Sequence, residues 1–139
     1  MATQAHVLAQ PARDQLLRRA LTANVIFSLA SGAAMLLAGS QIAALMGLAS
    51  ALPVQAIGAA VLLFSPLVWA IARRSPINAG HAWIILALDI AWVVASALEI
   101  ALNPFGMSSA GLWLVAGIAD AVAVIALFEY LGLRRLARS

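Results

Sequence analysis

The sequence predicts an all-α integral membrane four-helix bundle, and three observations carry that prediction. Of 139 residues, 65% are hydrophobic and 9% charged, against about 25% charged in an ordinary soluble domain. The apolar residues gather in four stretches, each close to the ~20 residues a helix needs to cross a hydrocarbon core about 30 Å thick. All eight basic residues are arginines, and they lie outside those stretches. Unpaired backbone groups are costly in lipid, so each crossing is predicted to be helical. This composition excludes a soluble globular enzyme and a disordered chain. Eight scattered arginines make no phosphate-tracking patch, so nucleic acid is not an expected partner.

The spans are expected at about residues 20–38, 52–72, 82–102 and 112–132, within a membrane domain over 16–139 that follows a tail over 1–15. Pro11 can open a short extension of the first span, and Asp14 stands four residues before Arg18, a favourable helical pair. The first span is longer than the apolar part of a signal peptide and is interrupted by Asn24, Ser28 and Ser31, so it reads as a retained crossing. Residues 39–51 remain apolar and predict a short helix lying in the interface. Pro53 suits the first turn of the second span, whereas Pro66 is expected to kink or loosen it. Ser75 and Pro76 read as the N-cap and first residue of the third span. Asn103, Pro104 and Gly106 end that span, and Ser108 or Ser109 can cap the fourth.

Arg13, Arg18 and Arg19 precede the first span, Arg73 and Arg74 separate the second from the third, and Arg134, Arg135 and Arg138 follow the fourth. The other two connections carry no charge. The positive-inside rule therefore predicts both termini in the cytoplasm. Trp69, Trp83, Trp113 and Tyr130 fall near span ends, where interfacial aromatics sit. A weak two-hairpin parallel repeat is also visible: Asn24 to Ser31 parallels Asp89 to Ser96, and each hairpin closes on an Arg-Arg pair. The plainer reading of the repeat is chance similarity between apolar helices.

The residues that could carry chemistry are few. There is no cysteine and no lysine, which removes thiolate sites and side-chain Schiff bases. His6 and His81 are too few for a histidine metal centre, and neither a cofactor nor a metal is expected. Asp89 and Asp120 each lie about 13 Å from one end of their span, near the bilayer midplane. An acid there costs about 2.5–3.5 kcal/mol of insertion energy, which the aliphatic residues around it offset. Such a group is expected to face the bundle interior or a hydrated cavity. Asp89, Trp92, Ser96, Glu99 and Asn103 recur every three or four residues, as do Asn24, Ser28 and Ser31 on the first span. Gln55, Gly58 and Ser65 on the second span, with Gly117 and Asp120 on the fourth, complete an inward-facing polar set. The candidate intramembrane site is accordingly Asp89, Asp120, Asn24, Ser28, Ser96 and Glu99. In the functional reading, Asp89 and Asp120 face each other and share a proton, coupling it to transport or to acid–base chemistry on a lipid. In the plainer reading they hydrogen-bond to Asn24, Ser28, Ser96 or each other and hold helices together; in a third they face a partner. Glu129 is expected near the interface, in a screened contact with Arg134 and Arg135. Ser28-x-x-x-Gly32 and Gly117-x-x-x-Ala121 have the spacing of close helix contacts.

Arg18-Arg-Ala-Leu-Thr-Ala-Asn24 through Gly32, with Leu45-Met-Gly-Leu48 and Asp89-Ile-Ala-Trp92, resembles a type of small four-span bacterial membrane protein that has no assigned activity. The resemblance implies a bacterial inner membrane and supplies no site. The small multidrug exporters differ, because they carry a glutamate within their first span, where this chain has no acid. The leading expectation is an accessory or interaction subunit, with the bilayer and either a second copy or a larger membrane protein as partners. The alternatives are a proton-linked homo-oligomeric transporter or channel built around Asp89 and Asp120, and an intramembrane enzyme acting on a lipid or isoprenoid.

Overall fold

The computed structural model describes residues 13–138. They form five helices: α1 (Gln15–Leu37), α2 (Gly39–Met46), α3 (Leu52–Arg73), α4 (Ala79–Leu102) and α5 (Ser109–Ala137). All but α2 are long and apolar enough to cross a membrane. The chain is an all-α, four-span membrane protein. The expected extension from Pro11, the residue His6 and most of the tail over 1–15 lie outside the described residues.

Local sequence chemistry sets most helix ends. Asn78 caps α4, its Oδ1 accepting from the His81 backbone N–H at 3.1 Å, while Ser75 and Pro76 stay in the connection. The expected Ser75–Pro76 cap is therefore displaced by three residues: Asn78 offers an equally good cap oxygen closer to the first apolar turn. Ser108 caps α5 by accepting from Gly111 N–H at 3.1 Å, as its place before the fourth span predicts. Asn103 ends α4 in the left-handed conformation (φ 40°), and its side-chain amide clasps Met107 through both the N–H and the carbonyl. Helix α3 runs through Pro66 without interruption. The proline has no N–H to give to the Leu62 carbonyl one turn earlier, so the backbone is weakened there without being broken.

The spans are not equally joined. Helix α1 packs along α3 and also against α5, and α5 packs on α4, but α3 and α4 scarcely touch. Small residues permit the close contacts. A Cβ on Gly32 would lie 3.0 Å from the Gly58 carbonyl oxygen, and one on Gly132 would lie 2.8 Å from the Leu17 backbone. These are the α1–α3 and α1–α5 crossings, and they match the enrichment of small residues at membrane helix interfaces. Of the two spacings read from the sequence, Ser28-x-x-x-Gly32 lies in a contact, whereas Gly117 faces outward with open space around it.

The packed core is also one-sided. Leu17, Leu21, Val68, Ile85, Leu86 and Leu133 are at most 2% exposed. All lie in the half of the bundle that ends in the arginines. At that end Arg18 ties α1 to α3: its guanidinium donates to Asp14 Oδ2 at 2.7 Å, to the Arg74 carbonyl at 3.0 Å and to the Ala72 carbonyl. The helical pair expected of Asp14 and Arg18 thus becomes part of a clamp on the exposed carbonyls of the α3 C-terminus. At the opposite end Ser108 Oγ donates to the Leu45 carbonyl at 2.7 Å, which docks the short helix α2 on the start of α5.

Candidate functional site

Where the packed half ends, three spans meet at Asn24. Its Nδ2 donates to Asp89 Oδ2 at 2.6 Å and to Glu129 Oε1 at 3.0 Å, and its Oδ1 accepts from Ser28 Oγ at 3.1 Å. Both amide protons are used. The orientation of the amide is dictated by its neighbours, since reversing it would set Oδ1 against two carboxyls. Asn24, Ser28 and Asp89 are 4%, 8% and 8% exposed, and Glu129 is completely buried. Asn24, Asp89 and Glu129 lie about 12–15 Å along their helices from the arginine-bearing ends. This common depth is what lets α1, α4 and α5 bring them together.

The partner of Asp89 is therefore Glu129 and not Asp120. Asp120 lies nine residues before Glu129 on the same helix, which is two and a half turns, so the two acids point in opposite directions. Asp120 is on the outside of the bundle, and the expected Asp89–Asp120 pair does not form. The interfacial reading of Glu129 fails as well. Helix α5 has 29 residues and continues two turns beyond Glu129, which leaves that carboxyl inside rather than at the surface beside Arg134 and Arg135. The signal that could have found it is the row of small residues Ala119, Ala126 and Gly132, which are buried on the Glu129 face. Small side chains mark the side of a membrane helix that approaches its neighbours.

Above this cluster, toward the charge-free end, the bundle opens into a crevice with two lobes. The inner lobe, about 300 Å³, has Asn24, Ser28, Ser31 and Asp89 on its polar side, and all four spans contribute apolar walls. The outer lobe, about 270 Å³, reaches Ser96 and Glu99 and is covered by Met46 of α2 and Phe105 and Met107 of the α4–α5 connection. Met35, Ile57, Trp92 and Ile118 line both lobes and so join them. The sparse contact between α3 and α4 leaves that side of the crevice the least covered by protein. Two buried polar atoms have no partner among the described residues: Trp92 Nε1, between the lobes, and Glu129 Oε2.

The remaining sequence candidates are dispersed. Ser96 is buried but bonds back to the Trp92 carbonyl of its own helix at 2.8 Å, a local contact that joins no two spans. Glu99 is half-buried on the outer lobe. His81 is exposed at the start of α4. Among the described residues no three His, Cys, Asp or Glu side chains converge as a metal site would require. The α4 stripe read from the sequence does face inward, since Asp89 and Ser96 are buried while Ile90, Val94 and Leu98 are exposed.

Trp69 and Trp83 sit near the arginine-bearing ends with Tyr130. Arg73 lies over the Trp69 ring at 5.5 Å, Arg134 over Tyr130 at 5.7 Å, and Trp83 meets Tyr130 edge-on at 6.2 Å. Trp113 stands 78% exposed near the opposite end. Compared with known protein families, curated proteins and solved structures, the chain matches none.

Proposed function

We propose that this protein is a non-catalytic interaction subunit of a bacterial inner membrane, with both termini in the cytoplasm, that assembles through the outer face of α5. The observation that carries the reading is the place of Asp120. It projects outward from the bundle, about 16 Å along α5 from Ser109, which is near the middle of a span. An acid facing hydrocarbon at that depth is expensive, and intramembrane acids are normally covered by protein or by a hydrated cavity. The same face carries Gly117, where a side chain would meet nothing within 4 Å, so another helix can come close to the backbone there.

The occupant we assign to this face is a second copy of the chain. A two-fold contact sets Asp120 against its own counterpart, and two carboxyls can bond reciprocally without importing a cation. No arginine of the chain lies within a span at that depth. The test is the mass of the protein in nanodiscs or mild detergent as its concentration is varied. A dimer that persists in Asp120→Asn and is lost in Asp120→Leu supports the reading. A monomer at all concentrations, or co-extraction with a different membrane protein at fixed ratio in place of the dimer, overturns self-assembly.

A proton-linked transporter is the second reading, and the Asp89–Glu129 pair favours it. Two neighbouring carboxyls can hold and exchange a proton, and the bundle is packed on their arginine side but open on the other. Proton flux into liposomes that disappears in Glu129→Gln supports this reading, whereas flux equal to that of empty liposomes counts against it.

A further inference from the structure

The crevice ends on polar groups that are already built and buried. Asp89, Asn24 and Ser28 are each more than nine-tenths buried and form one wall of the inner lobe. Trp92 follows Asp89 by three residues on the same face of α4, and its indole Nε1 is buried without an acceptor among the described residues. A buried N–H left unpaired costs about 1–3 kcal/mol. The lobe therefore offers an acceptor, the Asp89 carboxyl, and a donor in search of one, and its other walls are hydrocarbon.

The chemistry of an occupant follows from these groups. A hydroxyl is the smallest neutral group that can both donate to a carboxyl and accept from an indole N–H. Acids lie on both lobes, Asp89 on the inner and Glu99 on the outer, and no basic residue lines either. A carboxylate or phosphate head would be repelled there. The volumes, about 300 and 270 Å³, lie at the small end of the range for ligand pockets. They suit one hydrocarbon chain and not the two tails and charged head of a phospholipid. The gap between α3 and α4 supplies a route from the bilayer, so no passage through water is required.

We propose that this crevice binds a single-chain amphiphile with a neutral hydroxyl head, a long-chain or isoprenoid alcohol. Its head sits between Asp89 and Trp92, and its chain runs through the outer lobe beneath α2. The site lies inside one protomer and is independent of assembly through α5.

Trp92 reports on its own site. A variant with Trp69, Trp83 and Trp113 replaced by Phe keeps Trp92 as the sole tryptophan. It is reconstituted in phosphatidylcholine nanodiscs and titrated with a long-chain alcohol brominated in mid-chain. Bromine quenches indole emission on contact. The expected result is saturable quenching, with half-saturation at about tenfold lower probe content than for the bromoalkane lacking the hydroxyl. Ala60→Phe, which adds a ring to the α3 wall of the inner lobe, abolishes the saturable phase. Linear quenching that is equal for the alcohol and the bromoalkane overturns the proposal, because it reports partition into the bilayer alone. Saturable quenching that survives Ala60→Phe also overturns it. A brominated alkylammonium that binds more tightly than the alcohol refutes the assignment of the head group.

Discussion

Asn24→Leu removes the one side chain that joins the three spans, and its cost can be worked from the geometry. The substitution keeps a helix-forming residue of similar size and deletes bonds to Asp89 at 2.6 Å and to Glu129 at 3.0 Å. Interhelical polar contacts in membranes average about 0.6 kcal/mol and reach about 1.7 kcal/mol. Both bonds here end on carboxyls, which places them toward the upper value. Removing the donor also leaves two buried carboxyls facing each other with no amide between them. The expected loss is about 2–3 kcal/mol, read by steric-trap unfolding in bicelles. Ser28→Ala, which removes one bond of 3.1 Å to the Asn24 carbonyl, should cost about 0.5 kcal/mol in the same assay. The sharper comparison is the triple variant Asn24→Leu, Asp89→Leu, Glu129→Leu. Breaking a buried polar group by removing one partner is costly, whereas replacing the whole group by apolar residues is often neutral. The triple variant should therefore regain most of the stability lost in Asn24→Leu. An Asn24→Leu protein within about 0.5 kcal/mol of the parent, or a triple variant no more stable than the single one, would refute this account of the cluster.

Four further outcomes follow from the same geometry. Arg18→Ala, which releases the clamp on Ala72 and Arg74, should lower stability by about 1–2 kcal/mol in thermal unfolding, whereas Arg19→Ala, exposed and unclamped, should fall within about 0.5 kcal/mol of the parent. Gly132→Ala pushes a methyl to 2.8 Å from the Leu17 backbone and should destabilise by about 1–3 kcal/mol, while Gly117→Ala, with nothing near, should raise helix stability by up to about 1 kcal/mol and weaken self-association. Ser108→Ala loses both the α5 cap and the bond to Leu45, so unfolding should show a loss of about 1–2 kcal/mol, with faster hydrogen exchange in α2. The chain has no cysteine, so Ser75→Cys and Ser50→Cys can be labelled cleanly; a membrane-impermeant maleimide applied to intact cells should reach Ser50→Cys only, and labelling of Ser75→Cys instead would invert the proposed topology.

The four spans were legible because their cause is local. A run of about 20 apolar residues has one satisfactory solution in lipid, a helix, and no partner is needed to infer it. The caps at Ser108 and the turn at Asn103 were legible for the same reason, since the groups they satisfy lie within four residues. The α4 stripe could be read because Asp89, Trp92 and Ser96 repeat at helical spacing and leave only one face polar.

Helix α5 was different. It carries Asp120 and Glu129 on opposite faces, and helical periodicity alone does not say which face is inside. Depth along the span favoured Asp120, but contact decided otherwise. Gly132 lets α5 approach Leu17 to within backbone distance, and that crossing turns the Glu129 face toward Asn24. The crevice was beyond the sequence for a related reason: it exists because α3 and α4 scarcely touch, and a sparse contact leaves no mark on either helix. The sequence by itself determined that this protein spans a membrane four times, roughly where each crossing lies, and that its interior is partly polar. Only the tertiary structure decided which acid faces inward and where the bundle opens, because both depend on how closely two helices approach, a property of pairs rather than of any single span.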